Sequence, residues 1–249
     1  MTVHKAEHCM VCGLALVYRE QGEIVRCDQC GDRGQSAIGC PAGHYICDAC
    51  HSDRSLKRLH ELASKTTAQA PEDILEELIR LPDLPLHGPE HHAMAGLALL
   101  LASERTGVKL PENYIEETIR RSMQIPGGTC GYHGACGGAV SMGVAVSIIT
   151  GATPVTGPAR GMAHRATASA LLRCGDAQAR CCKRALRKTV AAGREFFAEE
   201  LGIHFPRPFE QIICADISRN RECAKGQCPY FRRNRKSNFK LHLRFRPAS

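Results

Sequence analysis

Hydrophobic and polar residues alternate along this chain with two periods, a short one at the front and a helical one behind it. In the front part, LALVYRE and EIVRC flank Gln21-Gly22 and predict the two strands of a hairpin. From Ser52 the spacing becomes helical. Leucines at 56, 59 and 62 predict a helix over 52–65 that caps the front module. The stretch Ser-Lys-Thr-Thr-Ala-Gln-Ala-Pro then breaks the pattern and sets a domain boundary. Pro71-Glu-Asp opens a short helix with Ile74, Leu75, Leu78 and Ile79 on one face, its acids placed where the helix dipole favours them. Pro89 opens another that runs to about Glu104, and residues 111–123 form an amphipathic helix with Tyr114, Ile115, Ile119 and Met123 inward.

Residues 137–150 carry small or apolar side chains on every side, which predicts a central, buried helix. Pro158 opens a further helical stretch to about Cys182, with Gly175-Asp176 as a potential break, and another helix reaches Leu201. The expected fold is therefore mainly α. A small β-containing module of the zinc-ribbon or treble-clef kind, residues 1–55, precedes a helical cysteine-rich domain, residues 70–249, built on that central apolar helix. The longest apolar stretch, 93–102, is too short to span a bilayer, and no basic segment precedes an apolar signal core. A cytoplasmic protein without a membrane partner is expected.

Cysteine content changes the picture most. Fifteen cysteines, an odd number, in an unexported chain argue for metals and free thiols over a disulfide scaffold. Seven precede residue 51 and eight follow residue 129, so two cysteine systems flank a cysteine-free middle. In the first, Cys9-x2-Cys12-Gly13 and Cys27-x2-Cys30-Gly31 read as two metal knuckles, each with a glycine suited to the tight turn. Cys40, His44, Cys47 and Cys50 follow as a second quartet, with His51 spare. These eight ligands suit two zinc ions. Two pairings are open: sequential quartets, or ligand pairs that alternate as in a cross-brace. Four protein ligands per zinc leave no open position, so this module is structural or partner-binding.

In the second system, Cys136 stands at the mouth of helix 137–150, where backbone N–H groups and the helix dipole favour a thiolate. Cys181-Cys182-Lys183-Arg184 puts two thiols beside two cations, an arrangement expected to lower their pKa values. The tail adds Cys214, Cys223 and Cys228-Pro229. Cys136, Cys181, Cys182, Cys214, Cys223 and Cys228 are expected to converge on one cofactor, with Cys130 as a further candidate and Cys174 in the core. An iron–sulfur cluster is the leading occupant, because the ligands come from scattered elements without short Cys-x2-Cys pairs; zinc or reactive thiols are the alternatives. His87, Glu90 and His91 formally match the inverted zincin pattern, but Gly88-Pro89 interrupts the helix that pattern needs. They are expected instead to give acid–base support to the cysteine site, or to serve as a helix cap.

Charge adds one element. Residues 152–249 carry 20 Lys+Arg against 7 Asp+Glu, a surplus of +13, within a chain whose net charge is +8. Such a segment suits an anionic small molecule, an acidic protein or nucleic acid, and Phe231, Phe239 and Phe245 interleave with the cations of 232–246. No dinucleotide fingerprint, Walker loop or serine nucleophile elbow is present in the sequence.

CMVCGLALVY, CPAGHYICDACH, HGPEHH, GACGGAVSMGVAVSIITGATP, ARCCKRAL and NRECAKGQCPYF together resemble an uncharacterised cysteine-rich family, a domain of unknown function sometimes attached to methyltransferases. The resemblance implies a prokaryotic, anaerobe-associated cytoplasmic protein without an assigned reaction. It also implies site roles for His87, Glu90, His91, Cys136, Cys181, Cys182, Lys183, Cys223 and Cys228. The leading expectation is a metalloenzyme or redox protein using a cluster or thiolate centre for sulfur, thiol or methyl-group chemistry. In it His87, Glu90, His91, Cys136 and Lys183 act in catalysis, and Lys183 and Arg184 steer an anionic substrate. The alternative is a zinc-organised adaptor for nucleic acid or a protein.

Overall fold

In the computed structural model, which describes residues 8–9, 11–81, 84–176 and 178–231, and all their side chains except those of 48, 49 and 51, the protein is mainly helical. Two antiparallel strands, β1 (Val17–Arg26) and β2 (Arg33–Gly39), precede eight α-helices among the described residues. The hairpin differs from the one its sequence predicts. Gln21-Gly22 is not a turn: β1 runs straight through it, and the extra residues are absorbed as a bulge between Tyr18 and Glu23. The chain reverses at the knuckle instead. Gly31 N–H bonds Cys27 O at 2.9 Å and Cys27 N–H bonds Asp32 O at 2.8 Å, so Cys27–Cys30 itself closes the hairpin in register Arg26↔Arg33.

Helix α1 (Asp48–Lys65) starts at the last metal-ligand pair and ends in the helical core. Its leucines do not cap the front module. Leu59 is buried in the core cluster, and Leu56 and Leu62 pack against it. Helix α2 (Pro71–Leu78) buries the apolar face its sequence predicts, with Ile74, Leu75 and Leu78 fully covered. A 3-10 turn over Pro89–Ala93 leads into α3 (Met94–Arg105), and α4 (Tyr114–Ser122) and the one-turn α5 (Thr129–Tyr132) follow.

Helix α6 (Gly137–Thr150) is the hub, packed on α3, α4, α7 and α8. Small residues let the backbones come close. A Cβ on Gly96 of α3 would lie 2.6 Å from the Ser141 carbonyl, and one on Gly143 would lie 2.9 Å from the Ala163 carbonyl. Ser141 Oγ, itself donating to Gly138 O, accepts Gly96 N–H at 3.0 Å. Helix α7 (Gly157–Cys174) stops at Gly175, short of Cys182, and α8 (Cys182–Leu201) begins after an irregular link. Beyond Leu201 the chain folds back: Phe205 enters the core, Arg194 bonds the Phe205 and Pro206 carbonyls, and Cys214 N–H bonds Tyr230 O at 2.8 Å. This return lays residues 214–231 over the N-terminus of α8. Among the described residues no helix is long and apolar enough to cross a membrane.

Candidate metal centres

The front module brings its eight expected ligands into two quartets, and the pairs alternate. Cys9 and Cys12 meet Cys40 and His44, while Cys27 and Cys30 meet Cys47 and Cys50; within each quartet all ligand atoms lie within 4.8 Å of one another. The cross-brace pairing is therefore the one adopted. Cys12 and Cys40 sulfurs are 3.4 Å apart and those of Cys30 and Cys47 3.6 Å, close to the ~3.8 Å edge of a tetrahedron with metal–sulfur bonds of about 2.3 Å. Each knuckle points N–H groups at sulfur: Val11 to Cys9 at 3.4 Å, Gln29 and Cys47 to Cys27 at 3.4 and 3.3 Å, Ala42 to Cys40 at 3.3 Å. Gly13 and Gly31 sit at φ of 75° and 80°, the left-handed conformation the turns require.

Within each quartet the thiols are held in unlike states. N–H bonds from Cys47 and Cys30 lower the Cys27 thiol to about 6. Burial opposes the same effect at Cys9, where the N–H groups of Cys12 and Val11 prevail and bring it to about 7. Their partners move the other way: Cys50 is raised by burial and by the neighbouring sulfurs. Touching thiols cannot all ionise unless a positive charge sits among them. One quartet offers three thiolates and an imidazole and the other four thiolates, a donor chemistry suited to soft or borderline metals.

Four of the eight later cysteines share one site. Cys181, Cys214, Cys223 and Cys228 line one cleft, partly open to solvent, together with Lys183, Arg184, Arg187, Asp216, Asn220 and the apolar Leu86, Ile217, Ala224 and Phe231. Cys136 and Cys182 are not in its lining. Cys182 turns toward the turn at residue 88, where its sulfur accepts Gly88 N–H, and Cys130 is exposed on α5. No three of the later cysteines bring their sulfurs within 4.8 Å of one another.

The adjacent cations do not lower the Cys181 and Cys182 thiols. Burial raises both, Cys182 to about 11, and outweighs the lowering by the Arg184 N–H and charge at Cys181 and by Arg180 at Cys182. Lys183 Nζ meets Asp216 Oδ2 at 2.7 Å with only 5% of its side chain exposed, and Arg184 bonds Asp176 and the Ala179 carbonyl. Arg187 holds Glu76 through two bonds of 2.6 and 2.9 Å, stacks 5.3 Å from the Tyr230 ring and donates to Cys214. Arg187, Asp216 and Asn220 are lining residues that sequence reasoning passed over. Arg187 lies one turn beyond Lys183 on the same helix face, a signal that was legible; its partner Glu76, 111 residues away, was not.

His87 stands beside this cleft, near Asn220 and Glu222, and shares an unusual condition with Glu90 and His91. Glu90 Oε1 accepts Ser52 Oγ–H at 2.6 Å while Oε2 has no partner. His91 is 1% exposed; its Nδ1–H donates to Gly88 O, which leaves a buried, unpaired lone pair on Nε2. Burial, then the Lys183 charge, lower its pKa to about 3, so the ring is neutral. Neither nitrogen of His87 has a well-aligned partner, although the Glu222 carboxylate lies 3.8 Å from Nε2 and Asn220 is close. Glu90 and His91 lie on the 3-10 turn and His87 ahead of it, so no continuous helix carries the zincin-like motif.

The fold and these sites define a mainly helical, cysteine-rich protein with two four-ligand groups that can hold metal ions. The chain belongs to a family of unknown function, DUF5714, whose sequence profile matches residues 59–231. That span contains all eight later cysteines and leaves both N-terminal quartets outside it. No curated protein and no solved structure matches the chain.

Proposed function

We propose that this protein is a metalloenzyme or redox protein in which two zinc ions hold the N-terminal module and an iron–sulfur cluster in the α8 cleft is the working centre. One observation carries the reading: four cysteines from two distant stretches line a single cleft, with their sulfurs too far apart to close on one tetrahedral ion. A cluster inserts its own irons and sulfides between protein thiolates and suits such spacing. The lining suits it too. Lys225 N–H points at Cys223 Sγ from 3.4 Å, the Arg184 backbone N–H at Cys181 and the Arg187 guanidinium at Cys214; such donors stabilise thiolate charge and set cluster potential.

The unpaired atoms of His87 and Glu90 serve as acid–base groups for a small anionic substrate that enters beside the cluster, with the neutral His91 as a buried hydrogen-bond acceptor behind them. Lys183 acts by fixing Asp216 in the cleft wall, more than by presenting a free charge. Protein purified without oxygen should show broad visible absorbance that dithionite bleaches, and Cys223→Ser or Cys228→Ser should remove it. A colourless protein carrying zinc alone would overturn this reading.

A zinc-organised adaptor is the second reading, and one observation favours it. The front module exposes Val11, Leu14, Val17, Ile24 and Ile38, an apolar surface that suits a protein partner. Its nucleic-acid form rests on the cations of 232–246 with Phe239 and Phe245, which lie outside the described residues. Binding that weakens steeply with salt separates that form from a protein contact.

A further inference from the structure

The short turn after α6 sends α7 back along it, and Gly143 packs against Ala163 and Thr167. Carried to the end of the pair, this antiparallel register sets the residue before α6 against the last residue of α7. Those residues are Cys136 and Cys174. Cys136 caps α6 in an extended conformation, with its sulfur toward the N–H groups of Gly138 and Ala139. Cys174 contacts Ala185 O at 3.5 Å and Thr189 Oγ1 at 3.6 Å, and the adjoining Leu186 lies against Gly138 beside the Cys136 sulfur, so one turn of α8 brings the two thiols together. Both thiols are half-buried, and neither lines the cluster cleft.

We propose that Cys136 and Cys174 form a redox-active dithiol, separate from the cleft, that reduces a small hydroperoxide and closes to a disulfide. The Cys136 thiolate attacks the peroxide oxygen; an S–O bond forms, the O–O bond breaks, and the leaving oxygen takes a proton and departs as water or alcohol. Cys174 then attacks the sulfenic sulfur: the S–S bond forms, the S–O bond breaks, and hydroxide leaves with the Cys174 proton as water. Two electrons pass from the two sulfurs to the peroxide.

The environment assigns the order of the two thiols. A hydrogen bond from Cys174, then the Ala139 and Gly138 N–H groups, outweigh burial and bring Cys136 down to about 6. Cys174 is raised, first by its bond to the Cys136 sulfur and then by burial, and stays the proton donor. Oxidation of Cys136 removes that negative charge, which frees Cys174 to ionise for the second step. Cys182, raised by burial to about 11, is a poor competitor.

The test uses the full chain with its metals, isolated without oxygen, given one equivalent of hydrogen peroxide, blocked with N-ethylmaleimide and mapped by peptide mass spectrometry. A 136–174 disulfide is the expected product. Cys174→Ser should stop at a sulfenic acid on Cys136 that dimedone captures, and Cys136→Ser should leave Cys174 unoxidised, both with wild-type helical signal. In unoxidised protein, iodoacetamide should modify Cys136 several-fold faster than exposed Cys130 at pH 6.5, with a midpoint near pH 6. A disulfide joining another pair, or Cys136 reacting no faster than Cys130, overturns the proposal. Repeating the map on Cys223→Ser separates it from the cluster reading: the 136–174 bond should form whether or not a cluster is present.

Discussion

Arg187 joins the core to the cleft, and its removal is the sharpest single-residue test of how the site is supported. With Glu76 left buried and only Arg80, 3.8 Å away, to answer it, Arg187→Ala should cost up to about 3–5 kcal/mol in chemical denaturation, while Arg187→Met with Glu76→Leu should restore most of that. His91 sets a pH dependence. Its folded pKa, near 3, lies below the ordinary 6.5, so between these values the unfolded chain binds the extra proton and stability falls as pH drops. His91→Phe should reduce the stability difference between pH 5.5 and 7.5, read on the helical signal, with the remainder carried by His87 and His92, which burial also lowers. At this scale the sequence identified reactive residues well and their state poorly. Lysine and arginine beside Cys181 and Cys182 suggested activated thiols, but Asp216, 33 residues on, and Asp176 in the preceding link engage those cations, and burial prevails.

Among the elements, α6 was legible because small and apolar residues on every side leave a helix no stable place but the centre. Its close contacts yield a paired prediction. Gly96→Ala should cost about 1–3 kcal/mol, since the new methyl meets the Ser141 backbone, whereas Gly161→Ala on α7, where the methyl meets only the Arg165 guanidinium at 3.9 Å, should be neutral or stabilising by up to about 1 kcal/mol. Thermal or denaturant midpoints check both. The hairpin was misplaced for a physical reason. Gln21-Gly22 has turn chemistry, but a metal knuckle is a tighter reversal and was already present six residues on. Likewise, the leucines of α1 show a helical face without showing which neighbour it meets.

Across the whole molecule, all eight N-terminal ligands could be read from spacing, but not the cross-brace, because pairing Cys9 with Cys40 and Cys27 with Cys47 is a long-range choice made by the fold. The same limit hid the division of the later thiols into a cleft of four and the facing pair at 136 and 174. The core begins at Leu59, behind the quartets, so a chelator that empties the front module should abolish the sheet and fray the start of α1 while leaving most of the helical circular dichroism. The cluster proposed for the cleft is of a kind different from the metals proposed for the front module. Elemental and acid-labile sulfide analysis of anaerobically purified protein tests it most directly: two zinc ions per chain, together with about four iron and four sulfide for a cubane, is the expected result. Zinc without iron or sulfide would contradict it.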